Sequence, residues 1–371
     1  MPVAPTYKGR YRSVKRKAAA LADSLGLIAA ARSFQASCPV ALTYHGVLPD
    51  TTKADDFLDH NFVSASAFAE QIDYLCKYYE PIALADLTRC YETRVKPPRR
   101  AVVITFDDGF ANNCEVAWPM LAKRGIPFTV FVTTGMIGQP GAQLWTERVK
   151  RAIYLSAAPL AAFDLPLRPG QLELSSASRR AEVARATLQR LKQLAAAERD
   201  AAVAQVEDVW GRPRLEAADR ERYAFMTWEQ VRSMSAQGVD IGSHTVTHPI
   251  LTSVDLGSLR TELQVSKATI EAQIGRECYA LAYPNGSQSD YGPREKHELQ
   301  ALGYRCGLSL RGTLNSDRCD PFAIDRININ RQHDEAMFRA AVGGLVDRAR
   351  RVRDRWTTQR SVVRSSGEVR A

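Results

Sequence analysis

Seven short apolar runs punctuate the chain: VALTY (40–44), AVVITF (101–106), FTVFV (128–132), VDIG (239–242), YALAY (279–283), YRCGLSL (304–310) and FAIDRININ (322–330). A weaker run, PIALA, lies at 81–85. Most are continuous rather than alternating, the pattern of strands covered on both faces. Helical patterns separate them. In SASAFAEQIDYLCKYY, Ser64 stands at an N-cap position and Phe68, Ile72 and Leu75 recur on one face. EVAWPMLAKRG and WEQVRSMSAQG close on Gly125 and Gly238, and LGSLRTELQVSKATIEAQIG closes on glycine again. Strands alternating with helices predict a parallel α/β fold.

Residues 143–226 break this rhythm. They are rich in Ala, Arg and Glu with helical periodicity and no convincing strand, which predicts a helical insertion over one face of the fold. The chain then divides into a basic N-terminal helical segment (1–37), a main α/β unit (38–344) that contains the insertion, and a basic C-terminal tail (345–371). Charge supports the division. The formal charge is +9, of which residues 1–17 carry +6 and residues 345–371 carry +5, leaving 18–344 at −2.

Such ends are solvated tails or contact an anionic surface. AAALADSLGLIAAA places Leu21, Leu25 and Ile28 on one helical face beside the cationic stretch, the pattern of a peripheral membrane helix or of one docked on the barrel. No nucleic-acid partner is expected. Asp23 interrupts what would be a signal peptide, and no run approaches the ~20 apolar residues that span a bilayer. A cytoplasmic or peripheral membrane location follows as the expectation. The seven cysteines are scattered with no CxxC, so free thiols are expected.

The polar residues that matter stand at strand ends. VALTY leads into His45, AVVITF into Asp107 and Asp108, VDIG into His244 and His248, and YALAY ends in Tyr283. If the strands close into a barrel, these ends share one mouth, where barrels build active sites. Two histidines four apart plus a carboxylate from another strand make a three-ligand set with an open metal position. A divalent ion would also explain two adjacent carboxylates after an apolar strand, because it neutralises one and lets the other stay charged. Each signal has a plainer reading alone: a surface or capping histidine pair, and a turn with a helix N-cap.

Together, TFDDGF, SHTVTHP and AYPNG resemble the polysaccharide deacetylase family (NodB homology, carbohydrate esterase 4) over roughly residues 38–340. The resemblance implies a distorted (β/α) barrel of about seven parallel strands. It also implies a metal-dependent hydrolase that removes acetyl groups from N- or O-acetylated sugars. It assigns Asp107 as general base, Asp108, His244 and His248 as ligands of a divalent ion, zinc first, and the Tyr283 backbone N–H as part of an oxyanion hole. The family's arginine just upstream of YPNG is absent, Leu281 and Ala282 occupying that region, and so is its late Leu-x-His motif. LTYHG resembles the first-strand motif of the family's circularly permuted branch, which makes His45 the expected general acid. Arg326 is the expected substitute arginine, since an internal strand rarely holds one without a carboxylate partner; an ion pair with Asp325 would explain it equally.

Trp145, Trp228 and Phe110 are further candidates, for stacking on sugar rings, and His60, His297 and His333 read as surface residues. Competing functions are hydrolysis of a small cyclic amide or imide on the same barrel, a non-haem Fe(II) oxygenase, and an inactive glycan-binding barrel.

Overall fold

The computed structural model describes residues 7–157, 160–163, 170–212 and 214–350. Its centre is a parallel sheet: β1 (Val40–Tyr44), β2 (Ala101–Phe106), β3 (Thr129–Val132), β4 (Asp240–Ser243), β5 (Ala280–Ala282), β6 (Cys306–Ser309) and β7, which runs as Ile324–Asp325 and Ile327–Asn328 about Arg326. Neighbours in sequence are neighbours in the sheet. The two halves of β7 serve different partners. Ile324 and Asp325 pair with Leu308 and Ser309 of β6, while Ile327 and Asn328 pair with Leu42 and Thr43 of β1. One run thus closes the sheet into a barrel. Glu80–Pro81, flanking the start of β2, is an eighth short strand.

The pleat sorts the residues. Val40, Leu42, Tyr44, Val102, Ile104 and Phe106 belong to the outer core against the helices, and Ala41, Val103, Phe131, Ala280 and Ala282 to the inner cluster. Leu84, Leu87 and Tyr91 join that inner cluster from the helix Leu84–Thr93. PIALA is therefore mostly not a strand. Only Pro81 falls in a strand, the Ile82 N–H adds one bond to the Val102 carbonyl, and the chain is helical from Leu84.

Local signals act as their chemistry dictates. Ser64 Oγ accepts from Ala67 N at 3.3 Å to cap the helix Ala65–Tyr78, whose Phe68, Ile72 and Leu75 are fully buried. Gly275 ends the helix Leu256–Ile274 in the left-handed region.

The insertion has its own core. Val149, Ile153, Ala184, Leu191, Val203 and Val206 pack together, joined by Phe57 and Leu58 from the barrel side. It is not purely helical: Leu160–Phe163 and Gly170–Glu173 form an antiparallel pair, a short hairpin without the long apolar run that marks a barrel strand. Arg148 and Glu207 tie two of its helices through two hydrogen bonds, of 2.7 and 2.5 Å.

The N-terminal segment departs from expectation in one respect. Gly26, at φ 71°, separates the helix Tyr7–Ser24 from Leu27–Phe34, so Leu21, Leu25 and Ile28 do not share a face. Ile28 is buried beside Ala340, and Leu21 and Leu25 are more than 60% exposed. No helix among the described residues is long and apolar enough to cross a membrane. None of the seven cysteines is in a disulfide. Most of the basic C-terminal tail lies outside the described residues.

Candidate active site

Asp107 ends β2 inside the barrel mouth, its N–H on the Tyr44 carbonyl at 2.9 Å. Arg326, between the halves of β7, reaches it across the lumen. The guanidinium makes a bidentate pair, Nη1 to Oδ1 at 2.6 Å and Nη2 to Oδ2 at 2.8 Å, with both side chains buried. Nη1 also donates to Thr43 and Thr105 Oγ1, and Nε to the Ser309 carbonyl. Asp325, the other partner considered for Arg326, instead accepts from the Arg311 and Thr313 backbone N–H groups. Burial pushes the Asp107 carboxyl up, and Arg326 with His244 overrides it, holding the group down at about 2.

Asp108 turns away from its neighbour because its backbone is left-handed (φ 72°), and Gly109 follows at φ 88°. A Cβ at Gly109 would lie 3.0 Å from Ile137 Cδ1 and 3.2 Å from Val132 Cγ1, so the turn needs glycine. Asp108 Oδ1 stands 3.5 Å from Nε2 of both His244 and His248, whose own Nε2 atoms are 3.1 Å apart. The three ligand atoms lie within 4.8 Å of one another. His244 Nδ1 lies 2.8 Å from the Ala282 carbonyl. A carbonyl only accepts, so Nδ1 carries the proton and Nε2 offers its lone pair to the centre, the usual orientation of a metal-binding imidazole. Burial lowers both histidines, His248 well below its ordinary value, and burial with the Asp107 charge raises Asp108 well above its own. Two neutral imidazoles facing a desolvated carboxylate fit a divalent cation.

The loop that carries the histidines is held from several sides. Thr245 and His248 both adopt left-handed φ, 68° and 60°. With Asp108 and Asn285 they make four of the six described non-glycine residues in that region, a concentration of strain that functional sites show. Thr245 Oγ1 accepts from His248 N, and Glu262 accepts from Val246 N and Thr247 N. From the insertion, Trp145 Nε1 donates to the His248 carbonyl at 3.3 Å, with the Arg199 guanidinium 5.0 Å from the ring. Sequence reading missed Glu262, which looks like any polar position of its helix, and gave Trp145 no part in holding a histidine.

His45 faces the same cavity, of about 610 Å³, which the insertion walls on one side. Asn113 Nδ2 donates to its carbonyl at 2.9 Å, from a π-helical turn (Asn113–Ala117). Burial lowers the His45 imidazole to about 4, Asp107 opposing. The sign of its effect on stability follows. Between about pH 6.5 and 4 the unfolded chain binds the extra proton, so the contribution of neutral His45 is full above 6.5 and is lost as pH falls toward 4. The thermal midpoint of metal-free protein should fall through that window, and His45→Gln should flatten the fall. An unchanged slope in the variant would contradict this.

Other expected residues sit differently. The Tyr283 backbone N–H donates to the Leu308 carbonyl at 3.0 Å, so it is engaged in the sheet and not presented to a substrate; the ring is core, stacked on Tyr291 with its hydroxyl donating to the Phe322 carbonyl. Phe110 is core, stacked on Phe225, and Trp228 packs on the main core outside the cavity lining. His60 lines the cavity, His333 is half-buried, and His297 is exposed.

The polysaccharide deacetylase family model matches residues 94–157 and 183–307, just over half of the chain. The chain belongs to the polysaccharide deacetylase family. His45 and Arg326 lie outside the matched residues. Among relatives, YxkH of Bacillus subtilis is 18% identical over 250 residues, 67% of this chain and 59% of YxkH. A Staphylococcus aureus poly-β-1,6-N-acetyl-D-glucosamine N-deacetylase is 36% identical over 77 residues, 21% of this chain and 27% of that enzyme. The chain thus spans less than two thirds of either relative. A de-N-acetylase structure from Aggregatibacter actinomycetemcomitans superposes with a TM-score of 0.53 at 16% identity, covering 82% of this chain and 99% of that one. At that identity the likeness establishes a shared deacetylase-family fold.

Proposed function

We propose that this chain removes acetyl groups from N-acetylated sugars of a glycan, with a divalent ion, zinc first, held by Asp108, His244 and His248. One observation carries the reading: a buried, bidentate Asp107–Arg326 pair stands beside a carboxylate and two imidazoles whose donor atoms converge. A divalent ion bound there would supply Lewis-acid polarisation of an acyl oxygen and a more acidic water.

The chain's own residues do the rest. Asp107, fixed by two N–H donors and ionised across the neutral range, accepts the proton that water gives up as its oxygen bonds the acetyl carbon. His45 delivers a proton to the departing nitrogen as the C–N bond breaks, leaving acetate and a free amine. Burial keeps that ring neutral at pH 7, so its proton must arrive within the cycle. Asp107, the charge that most raises His45's proton affinity, holds one after water has attacked.

N-acetylglucosamine polymers are the proposed substrate, by analogy with the substrate in the staphylococcal relative's name. A second cavity of about 570 Å³ shares Leu310 and Asn328 with the first, which favours an extended ligand over a small cyclic amide.

Acetate release from N-acetylglucosamine oligomers by zinc-loaded protein tests the reading. Wild type should release it, and Asp107→Asn and His45→Ala should each fall by roughly 10²–10⁴-fold. Full activity in Asp107→Asn would remove the base from the scheme.

A further inference from the structure

One face of the insertion helix Ala177–Leu191 lines the cavity. Arg185, Gln189 and Lys192, the last at the helix C-cap, follow at i, i+4 and i+7. We infer that this face binds an anionic substituent, a carboxylate or a phosphate, on the glycan whose acetyl group meets Asp107. The inference rests on reading the cavity as the glycan site.

Lys192 decides the matter. Its ammonium has three donors and no acceptor, and it donates to Asn285 Oδ1, a neutral oxygen. Asp290, a nearby carboxylate, is already engaged, accepting from Asn285 Nδ2, Ser287 N and Ser289 Oγ. Burial pulls the Lys192 ammonium below its ordinary value, with Asp290 only partly opposing, as expected of a cation short of an anionic partner.

The acids around the cavity do not make up the deficit. Glu147 pairs with Lys150 at 2.9 Å, Asp107 with Arg326, and Asp56 with Arg331 at 3.2 Å. Asp108 faces the two histidines. Arg185 adds a second cation to the same wall, its guanidinium 4.7 Å from the Phe57 ring. The adjoining cavity carries further basic residues, Arg350 and Arg311, the latter paired with Asp325 at 3.4 Å. A half-buried ammonium held by one neutral oxygen gains most from an anion that can accept its remaining hydrogens. The ligand is therefore acidic where it passes Lys192, and the insertion is the part of the chain that selects it.

The test is calorimetric binding to the zinc-loaded full chain, at low and high salt, with three oligomers of equal length. One is neutral N-acetylglucosamine, one alternates N-acetylglucosamine with glucuronic acid, and one carries 6-phosphates. Wild type should bind at least one acidic oligomer about tenfold tighter than the neutral one, and which of the two it is identifies the anion. Salt should erode the preference. Lys192→Gln should bring the acidic oligomer to the neutral level, and Arg185→Gln should weaken the preference. Equal affinity for all three oligomers, or a preference that survives Lys192→Gln, would overturn the inference. Acetate assays on the same oligomers separate the two readings. Acidic preference without acetate release would defeat the deacetylase reading alone, and acetate release without acidic preference would defeat this inference alone.

Discussion

Arg326→Met should destabilise the protein by about 3–5 kcal/mol and abolish activity, because it strands a charged carboxylate inside the barrel. Asp107 is 2% exposed and Arg326 is fully buried. Its held-down carboxyl owes its ionisation to the guanidinium. Without that partner the charge must either stay desolvated or take a proton, and a protonated Asp107 cannot accept one from water. Arg326→Lys should fail as well, since an ammonium cannot reproduce the two parallel N–H bonds while also reaching Thr43 and Thr105. The informative variant is the double one. Arg326→Met with Asp107→Leu removes both charges and should recover most of the lost stability in a denaturant titration while staying inactive. If Arg326→Met alone keeps wild-type stability, the pair is not carrying the barrel interior.

Asp108→Asn should do the opposite to the two properties. Its carboxyl is raised well above the ordinary value by burial and by the Asp107 charge, so the folded protein holds that proton longer than the unfolded chain does. Ionising it therefore costs stability as pH rises above about 3.8. Asparagine removes the charge and tolerates the left-handed backbone at this position. The metal-free variant should accordingly melt higher than metal-free wild type at neutral pH. It should also lack the stabilisation that zinc is expected to give wild type, about 2.7 kcal/mol at a hundredfold excess over Kd, and about 10³-fold or more of the activity expected of wild type. Differential scanning with and without zinc reads both. A zinc-induced rise that persists in Asp108→Asn would move the ion elsewhere.

The barrel was legible because its strands are apolar on both faces, and runs such as AVVITF read the same wherever they occur. PIALA shows the limit: five apolar residues look alike at the start of a helix and in a strand, and the helix from Leu84 won. The residues of the mouth were legible as strand-end polar groups, His45, Asp107, Asp108, His244 and His248, and Arg326 stood out as a charge in a buried run. The rest depends on folding in three dimensions. Nothing at position 283 signals that its N–H belongs to Leu308, because pairing partners are set by register. Trp145 and Lys192 sit in a helical stretch whose composition says surface, and only the docking of the insertion turns them toward His248 and Asn285 respectively.

β7 is the run that closes the ring, and Arg326 sits at its midpoint, 219 positions along the chain from Asp107. A ribosome therefore delivers the carboxylates and both histidines long before the guanidinium that steadies the first of them. Before that last strand is made, β1 and β6 each lack a pairing partner and Asp107 lacks its guanidinium. On the proposed function, hydrolysis would wait for that strand, because a chain ending before it lacks the guanidinium that holds Asp107.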